Sequence, residues 1–187
     1  MNPISFTASL KSDTTIHSRQ GQAFTPKKAY IVELDKNDVH DLTSLHNISL
    51  LWSKEKANFV PYLFSDFIKD VEFKPDVNAD HCFVLTLQNE NFQNIDPAKV
   101  LGVTLFSEED IENELNWLQV QPKNTSRMEP VNRKYRNVGT AIVNYIRDNY
   151  DDKPIFVNSA NTVIGFYKKL GFESYDEKHP CSLHYGA

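Results

Sequence analysis

Hydrophobic positions along this chain switch between a period of two and a period near 3.6, and the switches divide it into elements. Tyr30-Ile31-Val32-Glu33-Leu34 reads as a first strand. Val39, Leu42, Leu45 and Ile48 recur at helical spacing, with Asn37 or Asp38 placed as the N-cap. A second helix is expected after Pro61, turning Leu63, Phe64, Phe67, Ile68 and Val71 inward. Residues 82–87 and 100–106 are apolar runs of strand length, joined by a polar loop through Asn94 and Asp96-Pro97. A further strand is expected from about Glu114 to Gln121, where alternation sets Glu114 and Asn116 on one face and Leu115 and Trp117 on the other. Val138, Ile142, Tyr145 and Ile146 stripe a helix that begins near Asn137. Residues 154–158 read as a short buried strand opened by proline. Val163, Phe166, Tyr167 and Leu170 then share the face of a last helix, with Lys168 and Lys169 in its final turn and Gly171 as its cap. A strand at 172–175 follows. The order β-α-α-β-β-β-α-β-α-β is mixed α/β.

The first two dozen residues, rich in Ser, Thr and Gln, show no period and are expected to form an arm, flexible or packed on. The division is therefore an arm at 1–28 and one domain at 29–187, and 187 residues suffice to bury a substantial core. A formal charge of −5 and a pI near 5.7 argue against nucleic acid as a main partner, because no basic face is evident. The same balance suits a cationic amine. Lys11 and Asp13 interrupt any apolar run at the start, so no secretory signal is read there. No apolar stretch is long enough to span a membrane, and a cytoplasmic protein is expected. Cys82 and Cys181 then read as free thiols, a disulfide being the alternative.

The run Arg136-Asn137-Val138-Gly139-Thr140-Ala141 changes this picture most. Gly139 lacks a Cβ, so the backbone can approach a ligand closely, and the small Ala141 keeps the first turn open. A helix starting here offers unpaired N–H groups and the positive end of its dipole to an anion. Arg136 at the mouth adds a charge-assisted contact to a phosphate oxygen. The competing reading is a loop-to-helix junction whose glycine serves packing. Downstream stand Asn158, Ser159, Ala160 and Asn161, then Phe166-Tyr167-Lys168-Lys169-Leu170-Gly171-Phe172.

Taken together, the two motifs resemble the GNAT N-acetyltransferase superfamily, whose Arg/Gln-x-x-Gly-x-Gly/Ala loop holds the pyrophosphate of acetyl-CoA. The resemblance is clear from roughly Glu114 to Tyr175 and looser back to about Tyr30. It departs from the family at Ala160, which stands where an Asn is usual, and in a longer link that suggests an inserted loop at 123–133. The resemblance implies a mostly antiparallel central sheet flanked by helices. It also implies direct transfer of acetyl from acetyl-CoA to a primary amine of a small molecule or protein. A non-catalytic acyl-CoA-binding sensor or interaction module is the second reading.

By the same resemblance, Tyr167 protonates the departing sulfur and Glu114 serves as base, Glu112 being the alternative. A solvated carboxylate at a strand end and a tyrosine completing a helix face are the plainer readings of those residues. A backbone N–H near Leu118 to Val120 would meet the acyl carbonyl. Arg136, Asn137, Val138, Gly139, Thr140 and Ala141 would line the cofactor, with Asn158, Asn161, Phe166 and Lys169 from the second motif. The chemistry needs such groups: an alkylammonium must lose a proton before it can attack, and the leaving thiolate is improved by a proton donor. His179, Cys181 and His184 supply too few ligands for a metal centre, so none is expected. His184 or Tyr185 is instead a candidate to line the acceptor pocket. Phe59, Tyr62, Phe64 and Phe67 read as core, and the chain as a monomer or homodimer whose acceptor the sequence leaves open.

Overall fold

The computed structural model describes residues 8–54, 79–124 and 133–186. It begins with a long hairpin, β1 (Ser9–Gln20) and β2 (Ala23–Leu34), closed through Gly21 and Gln22. Gly21 takes φ +61°, a left-handed conformation that glycine adopts without strain at the first central position of a two-residue turn. The expected arm is thus packed on as paired strand from Ser9 onward. Ile16 is the one residue of β1 in the main core, which is why the segment shows so little apolar alternation.

Helix α1 (Val39–Lys54) starts at Asp38, whose Oδ1 accepts the N–H groups of His40 at 2.8 Å and Asp41 at 3.2 Å. Its inward residues are Leu45, Ile48 and Trp52, whereas Val39, expected in the stripe, is 68% exposed in the first turn above the core. The helix expected after Pro61 and the aromatic residues 59–67 lie outside the described residues. Strands β3 (His81–Thr86), β4 (Val100–Ser107) and β5 (Asn113–Val120) follow. Then come β6 (Tyr135–Arg136), α2 (Val138–Asn149) and β7 (Ile155–Asn158). The chain closes with α3 (Ile164–Lys169), β8 (Glu173–Ser174) and β9 (Ser182–Tyr185).

Among the described residues, nine strands form one sheet in the order β6-β1-β2-β3-β4-β5-β7-β9-β8, a mixed α/β arrangement. Every neighbouring pair is antiparallel except β5 and β7, which run parallel. One core lies between the sheet and α2, where Val138, Ala141, Ile142, Val143 and Ile146 meet Phe83, Leu85, Leu101 and Leu115. A second lies on the α1 side around Trp52, Val84, Val103 and Leu105. Helix α2 packs tightly on the sheet over Gly102, where a Cβ would come within 2.6 Å of Ile142 Cδ1.

Two local expectations are corrected. Between β4 and β5, Leu105 pairs with Trp117 but Ser107 with Glu114, so two steps on β4 match three on β5. This bulge breaks the alternation. Leu115 joins the α2-side core while Trp117 packs on the α1 side, so they lie on opposite faces rather than on one. The last helix is also shorter than its stripe suggested: Val163 caps it from outside, 38% exposed. It ends at Gly171, φ +89°, with Gly171 N–H donating to the Lys168 carbonyl and Phe172 N–H to that of Tyr167. Phe172 is buried core, and the strand after it pairs at Glu173 and Ser174.

Candidate functional site

Strands β5 and β7 touch at two register positions, Asn113 with Ile155 and Glu114 with Phe156. Beyond these the strands run on without pairing to each other, β5 through Val120 and β7 through Asn158. Main-chain groups of β5 that face β7 past the bulge therefore have no ladder partner on that strand. A seam opens in the middle of the sheet.

The far end of β5 meets the start of α2. Asn137 precedes that helix in a left-handed conformation, φ 63°, and its side chain makes no capping hydrogen bond. Its carbonyl receives the first intrahelical bond, from Ala141 N–H at 2.9 Å. The N–H groups of Val138, Gly139 and Thr140 thus lack intrahelical acceptors, as in any first turn. Gly139 is buried, and a Cβ on it would lie 3.2 Å from the Phe166 ring and 3.6 Å from Val120 Cγ2. Its missing side chain makes room for α3 to lean on the helix mouth. That is a packing role in addition to any approach by a ligand.

Arg136 reaches the mouth from an unexpected direction. It belongs to β6, which pairs with β1 at His17 and Ser18, and its guanidinium stacks 3.7 Å from the centroid of the Phe24 ring on β2. Stacking on an aromatic face leaves the guanidinium edge free to bind an anion. Asn137 Nδ2 lies 3.2 Å from His17 Nδ1. Phe24 and His17 therefore shape this mouth, and sequence reasoning missed both. The signal lay in Gly21-Gln22, a two-residue turn between segments of strand length.

Tyr167 is buried on α3 with its ring edge-on to Phe166 and Phe172. Burial pushes its phenol well above the usual tyrosine value, so it keeps its proton at neutral pH. Leu118 and Val120 are half-buried and pack on the α2-side core. Asn158, Asn161 and Lys169 are exposed, and the Cys181 thiol lies 3.0 Å from Asn161 Oδ1. Cys82 and Cys181 are free thiols.

Glu114 stands at the closed end of the seam, half-buried, where burial raises its carboxyl above the usual range and Glu109 and Glu112 push it the same way. A carboxyl so tuned is a better proton acceptor from an ammonium than a free one. His179 bonds Asp176 and His184 packs on Tyr175. Among the described residues no three His, Cys, Asp or Glu side chains gather as a metal-binding group. Among them, too, no helix is long and apolar enough to cross a membrane.

No protein-family model matches this chain, and no curated protein does. Solved structures do. AtaT complexed with acetyl-methionyl-tRNAfMet is 13% identical, with a TM-score of 0.40 over 57% of this chain and 70% of its own. The Bacillus subtilis N-acetyltransferase YlbP in complex with Coenzyme-A is 15% identical, with a TM-score of 0.39 over 67% and 80%. Escherichia coli ElaA is 12% identical, with a TM-score of 0.42 over 82% and 96%. At these scores the likeness carries no argument about activity.

Proposed function

We propose that this chain is an N-acetyltransferase that moves acetyl from acetyl-CoA directly to a primary amine. The observation that supports it most is the parted parallel pair β5 and β7, whose seam runs toward the uncapped start of α2. An extended ligand arm can lie along the unpaired edge of β5 while its diphosphate meets the first-turn N–H groups and Arg136. The residues fit that cosubstrate: an anion site at one end, a buried phenol on the helix after β7, and a raised carboxyl at the other end.

Acetyl-CoA supplies the thioester to be cleaved. Main-chain N–H groups of β5 near Leu118 to Val120 hold the acyl oxygen in this reading, and Asn158, Asn161 and Lys169 line the outer stretch. Overall a nitrogen–carbon bond replaces a sulfur–carbon bond. Of the two protons that nitrogen gives up, one passes through Glu114 to solvent and the other ends on sulfur by way of Tyr167.

A sensor that binds acyl-CoA without turnover is favoured by one feature, Ala160 in the place of the usual Asn. Two measurements separate the readings. Acetyl-CoA raises the melting temperature under both, since a ligand that binds the native state stabilises it. Thiol release on a panel of amines occurs under the first alone. No melting shift at all removes both.

A further inference from the structure

Among the described residues, one face of the sheet around β7 and β9 belongs to neither core. Ser107, Glu114, Phe156, His184 and Glu173 form a cross-strand row, each opposite the next. Their chain neighbours Leu115, Ile155, Val157 and Leu183 all enter the α2-side core, so the row looks out the other way. Tyr175 lays its ring against it, 6.4 Å from Phe156 at 90° and 5.8 Å from His184 at 65°. Tyr175 is 62% exposed and Ile111 85% exposed. Phe156 links the two, since Tyr175 packs its ring on it and Ile111 lines the same depression, and apolar side chains left in water around a common ring mark a surface suited to an apolar group.

The row opens into a cavity of about 260 Å³ lined by Glu109, Asp110, Ile111, Glu112, Glu114 and Phe156. Glu108, just before it, is occupied by His81 Nε2 at 2.8 Å. Lys153 directs its ammonium to the main-chain carbonyl of Glu109 at 2.8 Å. Among the described residues, the four carboxylates of the cavity itself have no cationic partner. An apolar shelf bounded by carboxylates that form no ion pair among the described residues is complementary to a cation with an apolar body.

Resting on the transferase reading, we propose that this shelf holds the acceptor, and that the acceptor is a primary amine carried on a flat apolar group. Its ammonium faces the carboxylates beside Glu114, and its apolar body lies among Phe156, Tyr175 and Ile111. The shelf then selects the substrate by the ring it covers, while Glu114 serves every amine alike.

Initial rates of thiol release with 2-phenylethylamine and with ethanolamine test this. In the unaltered protein kcat/KM is expected to favour 2-phenylethylamine by about tenfold or more, the discrimination one well-covered apolar group supports. Tyr175→Ala combined with Ile111→Ser, both at exposed positions, is expected to erase most of that ratio by lowering kcat/KM for 2-phenylethylamine, with the melting temperature of the free protein unchanged. Equal kcat/KM for the two amines, or a preference that survives the substitutions, overturns the proposal. Melting curves with 2-phenylethylamine alone tell its failure from that of the transferase reading. A Tyr175-dependent shift without thiol release leaves the amine site standing and removes the transferase. Release from ethanolamine without preference does the reverse, and neither shift nor release removes both.

Discussion

Under the proposed mechanism, taking one oxygen from Tyr167 separates proton donation from binding. Its ring packs on Phe166 and Phe172, and Tyr167→Phe keeps both contacts. Steady-state kinetics should show kcat lower by roughly 100-fold, as loss of a general acid entails, with the KM for acetyl-CoA little changed. An unaltered kcat takes Tyr167 out of the mechanism. Glu114 makes a prediction in pH. Its carboxyl is raised by burial and then by the charges of Glu109 and Glu112. Activity that needs the ionised form therefore rises with pH as Glu114 loses its proton. Glu109→Gln with Glu112→Gln removes part of the upward push, so the acidic limb of the kcat/KM profile should move to lower pH. An acidic limb that stays in place excludes Glu114 as the base. The placement of Tyr167 on the last helix and of Arg136 just ahead of α2 was legible because both lie in local runs. The orientation of residues 114–117 was not, because a bulge adds a step that the period of two cannot reveal. Phe24 was not legible either, being brought to Arg136 by pairing between segments more than a hundred residues apart.

The contact between α2 and β4 governs how the helix start is presented. Gly102 lets Val138 and Ile142 settle onto the strand, and a methyl there would stand 2.6 Å from Ile142 Cδ1 and 3.0 Å from Val138 Cγ1. Gly102→Ala is expected to cost about 1–3 kcal/mol by overpacking. Urea unfolding measures it, and no loss of stability means that α2 shifts at little cost. Because Val138 is the first helical residue, the same substitution should also weaken acetyl-CoA binding. The helix itself was readable from its stripe, since Val138, Ile142 and Ile146 are all buried as the period demands. Strand β1 was not, because most of its side chains meet water and its partners are chosen by main-chain pairing. The two-residue strand β6 was equally hidden: so short a segment carries no period, and it forms against the edge that β1 provides.

At the scale of the sheet, the strands of the described residues divide where β5 and β7 part. From β6 to β5 runs a broad leaf, from β7 to β8 a narrow one, and two residue pairs stitch them together. The sequence made the mixed α/β class legible through the alternation of its periods, but not this division. Pairing depends on how two strands diverge in space, and each of them reads as a strand either way. A sheet so divided has an edge inside the protein. Amides of β5 that face the gap should exchange with solvent far faster than those bonded to β4, although both belong to one central strand. Deuterium uptake resolved to single amides would show that contrast, and added acetyl-CoA should abolish it; uniform protection in the free protein would mean the leaves are already sewn shut. Under the proposed function, an arm that fills the gap would complete the missing ladder and act as one more strand. Loading the protein would then make two leaves unfold as one.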